Sequence, residues 1–301
     1  MVVAATGAVM KYICAQGSRQ GGRAYNEDRV AIAERDSAVL MVLGDGLGGH
    51  QGGAMASATL CQVAVRAFHA VRSPRIEDPP HFLALIMFQV HRTLRDLGRR
   101  RAPPIEPRTT CVLALVQEGC AYWAHVGDSR LYHLRNQAVI SRTQDDTTIE
   151  TFRERGILDD KESLAHPDKS RLLACLGGRQ DPIIHLSAET ALRAGDTLLL
   201  CSDGVWEAAS NVEIPRALAH PVLENGLADL LLAAENRRRK AADNISAAAL
   251  RWQDQPGRPT GIAACARRLT ARAFWEEGRS LIVGRKLDEI RGAPKKVPPR
   301  G

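Results

Sequence analysis

The chain has 301 residues, 45% of them hydrophobic, enough to bury one large core with an appendage, and only 4% are aromatic, which argues against a surface that stacks nucleic-acid bases. Its formal charge of +7 sits mostly at one end: from Asp254 to Gly301 there are 11 Lys and Arg against 5 Asp and Glu, with the adjacent Phe274 and Trp275 as the only aromatics. No apolar run reaches the roughly 20 residues needed to span a bilayer. The first ten residues lack the basic start of a secretory signal, and seven scattered cysteines with no Cys-x-x-Cys pair read as reduced core thiols. The expectation is a cytoplasmic protein that binds neither nucleic acid nor membrane.

Residues 38–43 are a short apolar run ending before Asp45 and read as a buried strand. Met55, Leu60, Val63 and Phe68, then Leu83, Ile86, Val90, Leu94 and Leu97, recur near helical spacing and predict helices over 54–71 and 81–97. Residues 111–116, the turn Gln117-Glu118-Gly119 and residues 120–126 read as a hairpin that leads to Asp128. A strand over 197–201 precedes Asp203, a helix is predicted over 227–240, and a last strand over 245–252. Strands and helices come in groups without regular alternation, so an α+β sandwich is expected in place of a doubly wound parallel sheet. After Trp252 the run Gln-Asp-Gln-Pro-Gly-Arg-Pro-Thr-Gly has linker composition. The expected division is a domain of residues 1–252 and a basic C-terminal extension, 253–301, with a short helical stretch over 263–275.

Five motifs set acidic residues at the ends of these strands or in adjoining loops: Asn26-Glu27-Asp28, Gly44-Asp45-Gly46, Gly127-Asp128-Ser129-Arg130, Ser202-Asp203-Gly204 and Ala242-Asp243-Asn244. A strand that ends in Asp beside Gly presents a hard oxygen ligand on a backbone able to approach an ion closely. A single Asp-Gly pair is accounted for by turn chemistry. Five such endings at one sheet edge would repel one another unless cations compensate them. Carboxylates suit Mg2+ or Mn2+; zinc prefers His and Cys, and the nine histidines show no His-x-x-x-His pairing.

In order and spacing, Arg23-Ala-Tyr-Asn-Glu-Asp28, Gly44-Asp-Gly-Leu-Gly-Gly-His50, Thr109-Thr110, Val126-Gly-Asp-Ser-Arg130, Thr143-Gln-Asp-Asp146, Leu200-Cys-Ser-Asp-Gly-Val-Trp206 and Asp243-Asn-Ile-Ser246 resemble the motifs of the metal-dependent protein phosphatases of the 2C type. The bacterial serine/threonine branch is the most similar. The resemblance runs from about Tyr12 to Trp252 and implies a four-layer α-β-β-α sandwich, two antiparallel sheets flanked by helices, with a metal site at one edge. It implies that Asp45 bridges two core ions, that the Gly46 carbonyl assists one, and that Asp203 and Asp243 complete the other. Glu27 and Asp28 become direct or water-mediated ligands, and Asp128 a ligand of a third, weaker ion. Arg23 matches the position whose planar guanidinium grips phosphate; a plain surface arginine is the alternative.

The implied reaction is hydrolysis of phosphoserine and phosphothreonine in proteins by a metal-activated water, with no phosphoenzyme. The implied partners are phosphorylated proteins, opposite a serine/threonine kinase, and the chain is expected to act as a monomer. Leu47 stands where animal members keep a proposed proton-donating histidine, so the leaving-group acid stays open, as does the choice between a structural and a catalytic His50. Residues 147–178 resemble the family's flap beside the metal site. Arg108 and Ala54 depart from the usual Gly and Glu. Ser129 lacks a Gly-x-Ser-x-Gly elbow and Cys201 a Cys-x5-Arg loop, so neither reads as a nucleophile. The alternative from another class is a pseudophosphatase, the same fold kept as a sensing or binding module.

Overall fold

The computed structural model describes residues 10–47, 51–147, 174–254 and 267–269. Two antiparallel sheets form its centre. The first has the order β1 (Tyr12–Arg19), β13 (Ile245–Trp252), β12 (Thr197–Cys201), β8 (Arg130–Arg135) and β9 (Ala138–Arg142). The second has the order β14 (Arg267–Leu269), β10 (Ile184–Leu186), β7 (Cys120–Val126), β6 (Cys111–Gln117), β3 (Ala38–Gly44) and β2 (Arg29–Arg35), with β11 (Thr190–Ala191) also on β7. A small ladder joins β4 (Gly46–Leu47) to β5 (Arg108–Thr109). Among the described residues, no helix is long and apolar enough to cross a membrane.

Side-chain alternation along the strands builds the layers. In β3, Leu40 and Val42 point to a core shared with α1 (Gln51–Ala70) and α2 (Pro79–Arg99), where they join Leu60, Phe68, Leu83 and Met87. Val39, Met41 and Leu43 point the other way, against Leu198, Leu200 and Leu250 of the first sheet. On the far side, Ala247 and Ala249 of β13 meet Leu227, Leu230 and Leu231 of α5 (Leu223–Arg238), beside the short helices α3 (Asp203–Trp206) and α4 (Glu213–Ala217). The result is the expected α-β-β-α sandwich. Its central strands read as unbroken apolar runs because both of their faces are buried.

Element boundaries differ where local chemistry, and not periodicity, sets them. The second helix starts at Pro79 because Asp78 caps it, Oδ1 accepting from His81 N at 3.0 Å, and proline suits the first turn. The β6–β7 hairpin closes on a two-residue turn, Glu118 (φ 51°) and Gly119 (φ 73°), with Gln117 opposite Cys120. Two left-handed residues match the twist of the flanking strands.

The extension beyond Trp252 requires a correction. The helix expected over 263–275 is not formed at its described residues, 267–269, which are strand β14, paired antiparallel with β10 and placing Leu269 opposite Ile184. An open sheet edge offers unpaired backbone groups that a passing segment satisfies. The rest of that expected helix, most of the segment likened to a flap and His50 lie outside the described residues.

Candidate functional site

The strand registers bring distant acidic residues to one end of the sandwich. Arg29 pairs with Gly44, so Asp28 and Asp45 lie just beyond the same end of the β2–β3 ladder. Arg19 pairs with Ile245 and Cys201 with Ala247, which sets Asp243 and Asp203 at the matching end of the other sheet. Asp128 follows β7, whose last residue, Val126, faces Cys111.

Each backbone is fixed by hydrogen bonds. Asp45 N donates to Thr110 Oγ1 at 2.9 Å, and Asp45 O accepts from Thr110 N and Thr109 Oγ1, both at 2.9 Å. Thr110 Oγ1 and Ser129 Oγ share a bond of 2.7 Å. Asp28 N donates to Asn26 Oδ1 at 3.0 Å, and Asp28 Oδ2 accepts from Ser202 Oγ at 2.7 Å. Asn244 is the organiser of the loops: its Oδ1 accepts from Glu27 N at 2.8 Å, while its Nδ2 donates to Gln20 O at 2.8 Å and Tyr25 O at 2.9 Å. Gly46 N donates to Glu27 O at 3.2 Å, and a Cβ on Gly46 would stand 2.3 Å from Gly53 O, so only glycine fits there.

Asp128 is held from its other side. Its carbonyl accepts from Trp206 Nε1 at 3.0 Å, and the Arg130 guanidinium lies 3.5 Å from the centre of the Trp206 ring. Arg130 also forms a fork on Asp145, at 2.9 and 2.7 Å. Asp146 brackets the preceding Gly127: its Oδ2 accepts from Gly127 N and its own N–H donates to Gly127 O, both at 3.0 Å. His185 Nε2 reaches Asp146 Oδ1 at 2.7 Å.

Burial, followed by repulsion from Asp28, Asp203, Asp128 and Asp243, raises the Asp45 carboxyl well above its ordinary range. Asp203 rises for the same reasons, burial first and then Asp128, Asp243 and Asp28. Burial pushes Asp28 up to about 6 against the hydrogen bond from Ser202, and burial with Asp145 nearby pushes Asp128 up to about 7. Such carboxylates call for positive charge. Part of it comes from Arg23, whose Nη2 stands 2.5 Å from Asp243 Oδ2.

The donor set fits hard divalent cations: carboxylates and a glycine carbonyl, with Asp28 Oδ1 and Asp203 Oδ1 buried and lacking a hydrogen-bond partner among the described residues. As placed, Asp28 turns to Ser202 and Asp243 to Arg23, and among the described residues no three His, Cys, Asp or Glu side chains enclose a common point. The structure thus gathers Asp28, Asp45, Asp128, Asp203 and Asp243 into one electrostatic cluster, with Arg23 against it and with Glu27 and Gly46 in the adjoining backbone.

The supporting roles of Thr110, Ser129, Asp145, Asp146, Ser202, Trp206 and Asn244 escaped the sequence reading. All lie inside motifs quoted above, so proximity to the acidic residues was the available signal. Burial pushes the Cys201 thiol up to about 12, in keeping with a core cysteine and not a nucleophile.

Residues 16–250 match the family described as protein phosphatase 2C. The chain belongs to that family. It is 32% identical over 219 residues to the serine/threonine protein phosphatase PstP of Mycobacterium tuberculosis, a match covering 71% of this chain and 40% of PstP. The chain therefore spans less than half the length of that relative. The S. agalactiae serine/threonine phosphatase shares the fold, with a TM-score of 0.75 at 24% identity over 81% of this chain and 100% of that one. A PstP catalytic domain in complex with two manganese ions aligns with a TM-score of 0.65 at 28% identity, over 81% of this chain and 99% of that one.

Proposed function

We propose that this member of the 2C family is a serine/threonine protein phosphatase, hydrolysing phosphoserine and phosphothreonine in proteins at a carboxylate site for two divalent cations, Mn2+ or Mg2+, with a third at Asp128. One observation carries the proposal: Asp28, Asp45, Asp203 and Asp243 come from four strand ends to one site, where burial and the neighbouring carboxylates raise the proton affinity of Asp45 and Asp203. Family membership and the two manganese ions of the PstP catalytic domain support it.

Asp45, Asp203, Asp243 and the Gly46 carbonyl would hold the two core ions, with Asp45 shared between them, and Glu27 and Asp28 would bind directly or through water. When bound, the cations polarise the phosphate ester and lower the pKa of water. The chain's own work is to keep these oxygens in place: Thr109 and Thr110 on the Asp45 backbone, Ser202 on the Asp28 carboxylate, Asn244 on the Glu27 amide. Arg23, its side chain 62% exposed at the rim, exchanges Asp243 for the phosphate oxygens of a substrate. Its partners are phosphorylated proteins in the cytoplasm, opposite a serine/threonine kinase, and it acts as a monomer.

The test is release of phosphate from a phosphoserine protein, and hydrolysis of an aryl phosphate, by metal-stripped enzyme with and without Mn2+, alongside Asp45→Asn. Hydrolysis only with metal, and a loss of at least about a hundredfold in the variant, is expected. Wild-type rates for Asp45→Asn would sink the metal assignment, and no hydrolysis by the Mn2+-loaded wild type would leave the pseudophosphatase alternative standing.

A further inference from the structure

Residues 20–25 form a loop whose backbone is held along its length. Gln20 Nε2 donates to the carbonyls of Arg23 at 2.8 Å and Ala24 at 3.1 Å. Asn244 Nδ2 ties down Gln20 O and Tyr25 O, and Gly22 N donates to Ala242 O at 2.9 Å. Gly21, at φ +65°, lies so near the 242–244 turn that a Cβ there would stand 2.0 Å from Asp243 O. The loop is thus fixed against the same turn that supplies Asp243 to the carboxylate cluster.

This fixed backbone carries two large side chains that are more than half exposed, Arg23, paired with Asp243, and Tyr25, at 62% and 58%. Tyr25 is the only aromatic among the exposed large hydrophobic side chains of the described residues; Phe68, Tyr122, Tyr132 and Trp252 are all buried. A lone exposed apolar residue needs no explanation in general. Here, however, the ring sits two residues from the candidate phosphate-gripping arginine, a span of at most about 7 Å of backbone. A ring at that distance is within reach of groups that flank a phosphate held at Arg23.

On the basis of the phosphatase reading, we infer that Tyr25 is a specificity-determining residue whose ring packs against an apolar side chain adjacent to the phosphorylated serine or threonine. Tyrosine suits the role because it offers a large amphipathic face with few torsions to immobilise. The loop is already ordered, so contact costs little further backbone entropy. The consequence is a preference for phosphopeptides with apolar flanks.

Two phosphothreonine peptides, alike except that the residues flanking the phosphothreonine are Leu in one and Gly in the other, test this with Mn2+-loaded wild type, Tyr25→Ala and Tyr25→Phe. Wild type is expected to favour the Leu-flanked peptide about five- to tenfold in kcat/KM, chiefly through KM. Tyr25→Phe keeps that ratio, and Tyr25→Ala brings it within about twofold. Equal kcat/KM on both peptides for the wild type, or an undiminished preference in Tyr25→Ala, overturns the inference while the phosphatase reading survives. Hydrolysis of neither peptide by the wild type overturns both.

Discussion

Arg23 and Asp243, 220 positions apart, meet at the rim of the carboxylate cluster, Nη2 to Oδ2 at 2.5 Å. The hydrogen bond to Asp243 raises the proton affinity of the guanidinium, with smaller contributions from Asp203 and Asp45. The two residues are expected to part company in function. Arg23→Ala raises KM for an aryl phosphate about tenfold while lowering kcat less, because a phosphate grip acts largely on binding. Asp243→Asn lowers kcat by about two orders of magnitude or more. Steady-state kinetics across a Mn2+ titration separates these patterns, and similar patterns for both variants would remove the distinction.

Chelation is expected to abolish turnover, and Mn2+ or Mg2+ to restore it, since the proposed ligands are all oxygens. Thiol alkylation of the native protein should leave the rate unchanged. Cys111 and Cys201 are fully buried, and burial holds both thiols protonated far above neutral pH. The comparison is an aryl phosphate assay after EDTA, after metal replacement and after alkylation.

Asn244→Ala removes the partner of Glu27 N, Gln20 O and Tyr25 O together. Partly buried groups left without partners cost about 1–3 kcal/mol. Turnover should fall by about tenfold or more while the fold persists, and thermal melting beside kcat/KM checks this. Asn244→Asp is predicted to rescue little, because a carboxylate can accept from Glu27 N but cannot donate to the two carbonyls.

The buried Asp196 gives the stability a defined acid limb. Burial alone would raise its carboxyl, but hydrogen bonds from Arg135, His133 and the Arg193 N–H outweigh that and hold its pKa well below the usual carboxylate range. Its Oδ2 accepts from His133 Nε2 at 2.9 Å and Arg135 Nη2 at 2.7 Å. With the folded pKa below the unfolded value of about 3.9, the contribution is complete above about pH 4 and fades as pH falls towards the folded pKa. Asp196→Asn should therefore cost about 3 kcal/mol at pH 7. The gap between wild type and variant in urea melts should stay constant down to about pH 5 and narrow below about pH 4.

Truncation after Asp254 removes β14 and bares the outer edge of β10. Aryl phosphate turnover should survive, since β14 supplies no residue to the carboxylate cluster. Melting temperature should fall by only a few degrees, about what a short edge ladder contributes. Failure to fold, or loss of small-substrate turnover, would make the extension part of the catalytic domain.

The sequence was most readable where burial is two-sided. Residues 38–43, 197–201 and 245–252 are strands in the structure because apolar side chains on both faces leave an unbroken run. Strands β1 and β9, with exposed and half-buried positions mixed, gave no comparable signal. The acidic residues were legible because each lies just before or just after a strand, beside glycine or a polar turn. Hydrogen bonds such as Ser202 to Asp28, spanning 174 positions, leave no periodic trace. Nor does a three-residue edge strand, whose conformation is chosen by the neighbour it meets.

Asp45 follows directly on β3, a strand every residue of which is buried. The amides of Leu40 to Leu43 lie between α1 and α2 on one side and the other sheet on the other, so their hydrogen exchange requires opening of the whole molecule. Peripheral elements such as β9 can fray while the ladder that carries Asp45 stays closed. Inactivation by heat or urea should then track exchange at β3 and lag behind any early loosening at the edges.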